Sequence, residues 1–261
     1  FFLKRDLPEK VQKGLSGFAA GVMVAASIWS LLIPALEGAA DLGAWSFLPA
    51  TVGFWLGILF LLLLDRLVPH VHLDGEQEGL RASLPRSMMV ALAVALHNLP
   101  EGMAVGVVYA GSMQPEQVGS VSFASAFALA VGIALQNVPE GAIVAMPLRQ
   151  AGMSRKKAFT LGMLSGAVEP LGALLTIGLA AVFAPMMPVM LSFAAGAMLY
   201  VVVEELVPEM AQGTHTNVGT VLFAVVVGAL GYFVEVLGVC TGRVFGEYQY
   251  GDVLGFKLLN V

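Results

Sequence analysis

Apolar residues run in long stretches along this chain, and polar residues gather in the short connections between them. The stretches are 15–36, 47–64, 88–110, 121–148, 158–183, 187–207 and 218–240. A helix needs about 20 apolar residues to cross the hydrocarbon of a bilayer, and each stretch meets or approaches that length. The pattern predicts an all-α, polytopic membrane helix bundle with seven spans. Gly and Pro within several spans fit that reading, because membrane helices tolerate both where neighbours satisfy the freed backbone groups. Composition agrees: 58% of the 261 residues are hydrophobic and 12% are charged, against roughly 25% charged in a soluble domain. Residues 1–240 read as a single transmembrane domain, and 241–261 (with Phe245, Tyr248, Tyr250 and Phe256) as a C-terminal tail without a readable pattern.

The placement of charge says more than its net value of −5. Lys4, Arg5, Lys10 and Lys13 precede the first span, and Arg66, Arg81 and Arg86 lie between the second and third. Arg149, Arg155, Lys156 and Lys157 lie between the fourth and fifth, so these connections hold 11 of the 13 basic residues. The alternate connections, 37–46, 111–120 and 184–188, hold none. The positive-inside rule then puts segments 1–14, 65–87, 149–157 and 208–217 in the cytoplasm and the C-terminus outside an inner or plasma membrane. Phe1-Phe2-Leu3 followed by Lys4-Arg5 reads as the end of an earlier span, so an eighth helix is expected upstream. The single Cys240 excludes an intrachain disulfide and a multi-thiolate zinc site.

Ionisable residues within spans are costly and are functional candidates by default. Here they are Glu101, Glu140, Glu169, Glu204, Glu205 and Glu235, with His97. No Lys or Arg falls at the same depth in the apolar runs. Carboxylates crowded in a low dielectric without internal counter-ions must bind protons or an outside cation.

The chain also repeats itself. Ala95-Leu96-His97-Asn98-Leu99-Pro100-Glu101-Gly102 returns 39 residues later as Ala134-Leu135-Gln136-Asn137-Val138-Pro139-Glu140-Gly141. In each copy a polar residue and a Glu stand four apart, on one helix face. The proline between them donates no backbone hydrogen bond and clashes with the carbonyl four residues back. Kinks are therefore expected, with Leu96 and Leu135 carrying free carbonyls. The closing glycine allows another helix to approach. Glu169-Pro170 and Glu204-Glu205-Leu206-Val207-Pro208-Glu209 extend the theme of carboxylates beside prolines. Imidazole, carboxylates and amides together suit zinc, iron(II), manganese or cadmium better than sodium or magnesium.

These motifs resemble the paired fourth- and fifth-helix motifs of the ZIP (ZRT/IRT-like) metal transporters, nearest the bacterial GufA-like branch. The resemblance extends through Gly17-Phe18-Ala19-Ala20-Gly21-Val22-Met23, Ser165-Gly166-Ala167-Val168-Glu169-Pro170-Leu171-Gly172 and Ala194-Ala195-Gly196-Ala197-Met198, up to about Cys240. It implies eight helices, inverted repeats, and import of divalent metal, zinc foremost, as cargo and not as a cofactor. It also implies two adjoining metal positions. One would use Met23, His97, Glu101, Gln136 and Glu140; the other Asn98, Glu101, Asn137, Glu140 and Glu169. Asn137 stands where some members place Asp, and Glu204 where some place His. Metal ions and membrane lipid are the expected partners, nucleic acid is not, and a homodimer is compatible.

Plainer readings compete at several positions. Among the 13 Met residues, Met23 by itself reads as core packing. Glu37 and Asp41 read as a solvated outer loop, or as cation collectors at an entrance. His70 and His72, with Asp74, Glu76 and Glu78, read as a solvated cytoplasmic loop. Glu204, Glu205 and Glu209 line an exit or mark a wet helix end, and Glu235 has no nameable partner. An intramembrane metal-dependent hydrolase is the alternative function. It needs an open ligand position and a base, yet the chain has no His-Glu-x-x-His pair. The absence of a Gly-x-x-x-x-Gly-Lys-Ser/Thr loop argues against direct ATP coupling.

Overall fold

The computed structural model describes residues 8–71, 77–80, 86–113, 121–150 and 152–241. Lys4, Arg5, His72, Asp74, Glu76, Arg81 and the tail from 242 onward fall outside the described residues.

Helices stand where the apolar runs predicted them. α1 (Glu9–Ala25) passes through a π-helical stretch, Ala26–Leu32, into α2 (Ile33–Glu37). A 3₁₀ turn, Ala40–Trp45, bends at Gly43, whose φ of 55° suits a residue without Cβ. It leads to α3 (Phe47–Leu67). His70–Val71 pairs antiparallel with Gln77–Glu78 in a minimal ladder. Then come α4 (Arg86–Ser112), α5 (Phe123–Gln150), α6 (Arg155–Ser165), α7 (Val168–Gly178) and α8 (Ala180–Phe183). After a 3₁₀ turn, α9 (Met187–Val201) continues through a second π stretch, Val202–Leu206, into α10 (Val207–Ala211). α11 (Val218–Thr241) ends the described chain and carries Glu235.

Both π stretches have a visible cause. Pro34 and Pro208 each stand two residues beyond one. In an α register, their rings would strike the carbonyls of Ser30 and Glu204 and offer them no N–H. A wider turn takes up one extra residue before the ring, so the helix continues instead of stopping.

α1, α4 and α9 are the most buried of the long helices, with α3, α5 and the α6–α7 pair around them. Contact between helices runs through glycines. A Cβ on Gly57 would fall on the Phe193 carbonyl, one on Gly196 on the Phe54 carbonyl, and one on Gly17 on the Gly219 carbonyl. Backbones at that approach gain dispersion and weak polar contacts without the hydrophobic drive that lipid removes. α3 thus lies against α9, and α1 against α11. Large apolar side chains such as Leu56, Leu59, Leu174, Leu175 and Val225 point away from the bundle, where acyl chains replace water.

The structure corrects the sequence reading at the span edges. Segment 1–14 is not all loop: α1 starts at Glu9, and Lys13 is buried. Its Nζ donates to the Thr214 carbonyl (2.5 Å) and pairs with Glu9 (3.2 Å), which accepts from Thr214 N (2.7 Å). Segment 65–87 likewise begins as helix, because α3 extends through buried Asp65 to Leu67. His70, expected in a solvated loop, is fully buried, with Nδ1 2.8 Å from the Val68 carbonyl. Helix also covers Arg149 and Arg155 at the edges of 149–157, and it reaches Ala211 within 208–217.

Candidate metal centre

Three helices deliver the repeated motif and its third carboxylate. α4 carries His97, Asn98 and Glu101, α5 carries Gln136, Asn137 and Glu140, and α7 carries Glu169. Neither motif proline breaks its helix: α4 runs through Pro100 and α5 through Pro139. The carbonyls of Leu96 and Leu135 still lack a helical donor, since proline has no N–H to give. The interruption falls elsewhere, at Gly166–Ala167 between α6 and α7. It sets Glu169 in the first turn of α7, where the helix dipole favours a negative charge. Pro170 then also sits in a first turn, where its missing N–H costs nothing.

Glycine brings this turn against the motif. A Cβ on Gly102 would fall on the Glu169 carbonyl, and one on Gly172 would lie 3.0 Å from the Leu99 carbonyl. Asn98 reinforces the contact by donating from Nδ2 to the Ser165 carbonyl (3.2 Å) at the end of α6. We predict that Gly102→Ala costs about 1–3 kcal/mol of stability through overpacking and moves Glu169 out of the centre. Thermal unfolding in detergent, read beside metal binding, checks this: unchanged values for both would show that α4 and α7 have room to part.

The polar side chains interlock as two amide–carboxylate pairs. Gln136 Nε2 donates to Glu101 Oε2 at 2.5 Å, and Asn137 Nδ2 donates to Glu169 Oε2 at 2.5 Å. Glu101 and Gln136 are buried, while Asn137, Glu140 and Glu169 are partly so. Glu140 lies within electrostatic reach of Glu101, Glu169, Glu205 and Glu209. With the amide nitrogens committed to carboxylates, Gln136 Oε1, Asn137 Oδ1 and Glu169 Oε1 are buried acceptors without a hydrogen-bond partner among the described residues. Buried acceptors are normally satisfied, and a cation is the partner that suits a set made only of acceptors. Among the described residues the buried Lys/Arg is Lys13, held by Glu9 and Thr214. The negative charge of the centre therefore has no internal balance there.

His97 is drawn in another direction. Its Nδ1 stands 2.8 Å from Glu205 Oε2, and its Nε2 stands 3.9 Å from Asp65 Oδ1. His70 Nε2 lies 3.8 Å from the same Asp65 oxygen. Both Asp65 oxygens are buried without a hydrogen bond among the described residues. The imidazole thus links the motif carboxylates, through its own helix, to a second polar set of Asp65, His70 and Glu205. Asp65 was missed from the sequence, since Asp-Arg at the end of an apolar run looks like the edge of the membrane. Its signal was a lone acid at the end of an apolar run, five residues before the likewise unexpected His70. The second π stretch carries Glu205 into this set. Met23 is fully buried in the apolar cluster that includes Ile133 and Ala104, on a helix packed against α5.

Among the described residues no three His, Cys, Asp or Glu side chains stand in the spacing of a closed metal site. Each of the two amides, Gln136 and Asn137, is hydrogen-bonded to one carboxylate, Glu101 and Glu169. A cation bound by these carboxylates would have to displace those amide hydrogen bonds.

Comparison with known proteins bears on the same residues. The family model described as ZIP Zinc transporter matches residues 72–237. Zinc transporter ZIP11 of Homo sapiens is 35% identical to this chain, over 77% of the chain and 81% of that protein. Zinc transporter ZIPB of Bordetella bronchiseptica is 38% identical, over 83% and 69%. Zinc transporter GufA of Myxococcus xanthus is 38% identical, over 80% of each.

Proposed function

Because the chain belongs to the ZIP zinc transporter family, we propose that it carries divalent transition-metal ions, zinc foremost, across the membrane. The family is one of transport proteins and not of enzymes, and the hydrolase alternative finds no support in the relatives. The observation that carries the proposal is that, among the described residues, buried Glu101 and partly buried Glu169 are paired with neutral amides, Gln136 and Asn137, and with no cation. A permanent cationic partner would make such a cluster structural; amides hold it in shape and leave its charge for cargo.

In this reading Glu101, Glu140, Gln136 and His97 form the principal position, with Met23 beside it. Asn98, Asn137 and Glu169 complete an adjoining position that shares Glu101 and Glu140. His97 then hands the ion toward Asp65, His70 and Glu205, the set that its ring already faces. Basic segments put that set toward the cytoplasm, and import is the direction that the family resemblance implies. Zinc, iron(II), manganese and cadmium all suit the donors, so the relatives' names put zinc first.

The test is metal uptake by the purified chain in liposomes, with competing divalent ions and a control for lipid or peptide cleavage. Saturable zinc influx, inhibited by cadmium or iron(II) and unaffected by magnesium, is expected. Liposomes that take up no more metal than protein-free controls would overturn the proposal.

A further inference from the structure

The turn between α5 and α6 concentrates positive charge where helix geometry disfavours it. Arg155, Lys156 and Lys157 make up the first turn of α6, and Arg149 stands across the connection in the last turn of α5. All four are exposed, and none makes an ion pair among the described residues. No Asp or Glu lies between residues 141 and 168. The N-terminus of a helix carries partial positive charge, so three cations there are repelled by the helix as well as by each other. The positive-inside rule asks for cations in this connection but not for their crowding into that turn.

An independent feature lies beneath them. Residues four apart share one helix face, so Arg155, Phe159 and Met163 form one column and Lys156, Thr160 and Leu164 the next. Phe159, Met163 and Leu164 are exposed at 45%, 60% and 54%. The other face of α6 is seated: Ala158, Gly162 and Ser165 are buried, and a Cβ on Gly162 would lie 3.0 Å from the Gly141 carbonyl of α5. At about 1.5 Å per residue, the apolar side chains begin about 6 Å below the cations. Charge at headgroup level above apolar side chains at acyl level is the outline of a phospholipid.

We propose that Arg155, Lys156 and Lys157, with Arg149, bind the phosphate of an anionic phospholipid whose acyl chains lie along Phe159, Met163 and Leu164. The cations then share one anion at the positive end of α6, which removes the repulsion described above, while the Lys157 N–H stays capped by Ser154 Oγ (3.4 Å). Free phosphate would meet the cations but has no use for the apolar column, so the lipid is the favoured occupant. Bound there, the lipid pins the start of α6, between the helix that carries Glu140 and the turn that carries Glu169.

The test reads lipid retention directly. The purified full chain is exchanged into phosphatidylcholine with graded phosphatidylglycerol, and the lipid that stays bound is quantified by native mass spectrometry. Wild type should retain phosphatidylglycerol over phosphatidylcholine, less so at high salt as charges are screened. Each basic side chain near an anionic surface contributes about 1 kcal/mol, about fivefold, so the combined R155Q, K156Q and K157Q variant should lose retention by on the order of a hundredfold. The paired K10Q and R66Q variant removes exposed cations elsewhere and should retain lipid as wild type does. Absence of phosphatidylglycerol preference in wild type overturns the proposal without needing any variant. Equal loss in the K10Q and R66Q control, or displacement of the lipid by inorganic phosphate alone, overturns it as well. The readout is independent of metal flux, so its failure leaves the transport reading standing.

Discussion

Zinc uptake by the reconstituted protein is expected to fall to the level of empty liposomes when Glu101 or Glu140 is replaced by alanine. Loss of a partner that merely supports a metal ligand typically costs 10–100-fold in affinity or activity, roughly, and a charged ligand shared between two positions should cost more. Folding should suffer less. Glu101→Ala strands Gln136 Nε2, a penalty of about 1–3 kcal/mol for an unmet buried donor. It also removes a buried carboxylate that is repelled by Glu169, which offsets part of that penalty. Glu101→Gln separates the two effects: it keeps an acceptor for Gln136 but drops the charge, and should therefore be stable and inactive. Uptake is measured beside the yield of detergent-monodisperse protein. Transport at the wild-type rate by either alanine variant would remove that carboxylate from the centre.

What makes this prediction possible was largely written in the sequence. The repeat around His97 and Gln136 fixes polar residue, Pro, Glu and Gly at helical spacing, and such spacing survives into structure because it is local. The spans were readable for the same reason, since hydropathy sums over a window and single exceptions do not spoil it. The structure adds what local pattern does not encode, namely which helix meets which. Gly102 was read as a site of close approach, yet nothing in its neighbours says that the opposing backbone is Glu169. Glu169 was read as mid-span; the structure starts a helix with it, because Gly166–Ala167 interrupts the run just before.

The misreadings share one physical source. His70 was read as part of a solvated loop, and Asp65 was passed over within segment 65–87, because hydropathy treats the first charge after an apolar run as the end of the membrane. Inside a bundle the relevant boundary is the protein interior, and a helix continues into it wherever its polar groups find company. Asp65 finds His70 and His97 at 3.8 and 3.9 Å. Lys13 shows the same from the other side, buried at the start of α1 by its pairing with Glu9 and Thr214. The π stretches were equally invisible to hydropathy, although Pro34 and Pro208 mark where an α register has to yield. Stoichiometry is a finer question than any of these, and it turns on one residue.

Asn137→Asp is expected to strengthen the second of the two proposed metal positions while slowing transport. With Glu101, Glu140 and Glu169 ionised, three negative charges would face two divalent ions if both proposed positions of the unmodified chain were filled. The ions repel each other, and unit charges about 4 Å apart interact by about 4 kcal/mol even at an effective dielectric of about 20. A fourth carboxylate should therefore raise affinity at the second position by at least about tenfold. The geometry adds a consequence for the metal-free state. Asn137 Nδ2 now donates to Glu169 Oε2 at 2.5 Å, and an aspartate there would oppose two carboxylates with no donor between them. They must share a proton or hold a metal. The variant should thus unfold at lower temperature than the unmodified protein without metal, and regain more stability when zinc is added. Release must break the extra ligation, so turnover drops while binding tightens. Calorimetric stoichiometry and anomalous diffraction on both proteins decide the matter: two equally occupied positions in the unmodified chain would refute the charge argument, whatever the variant does.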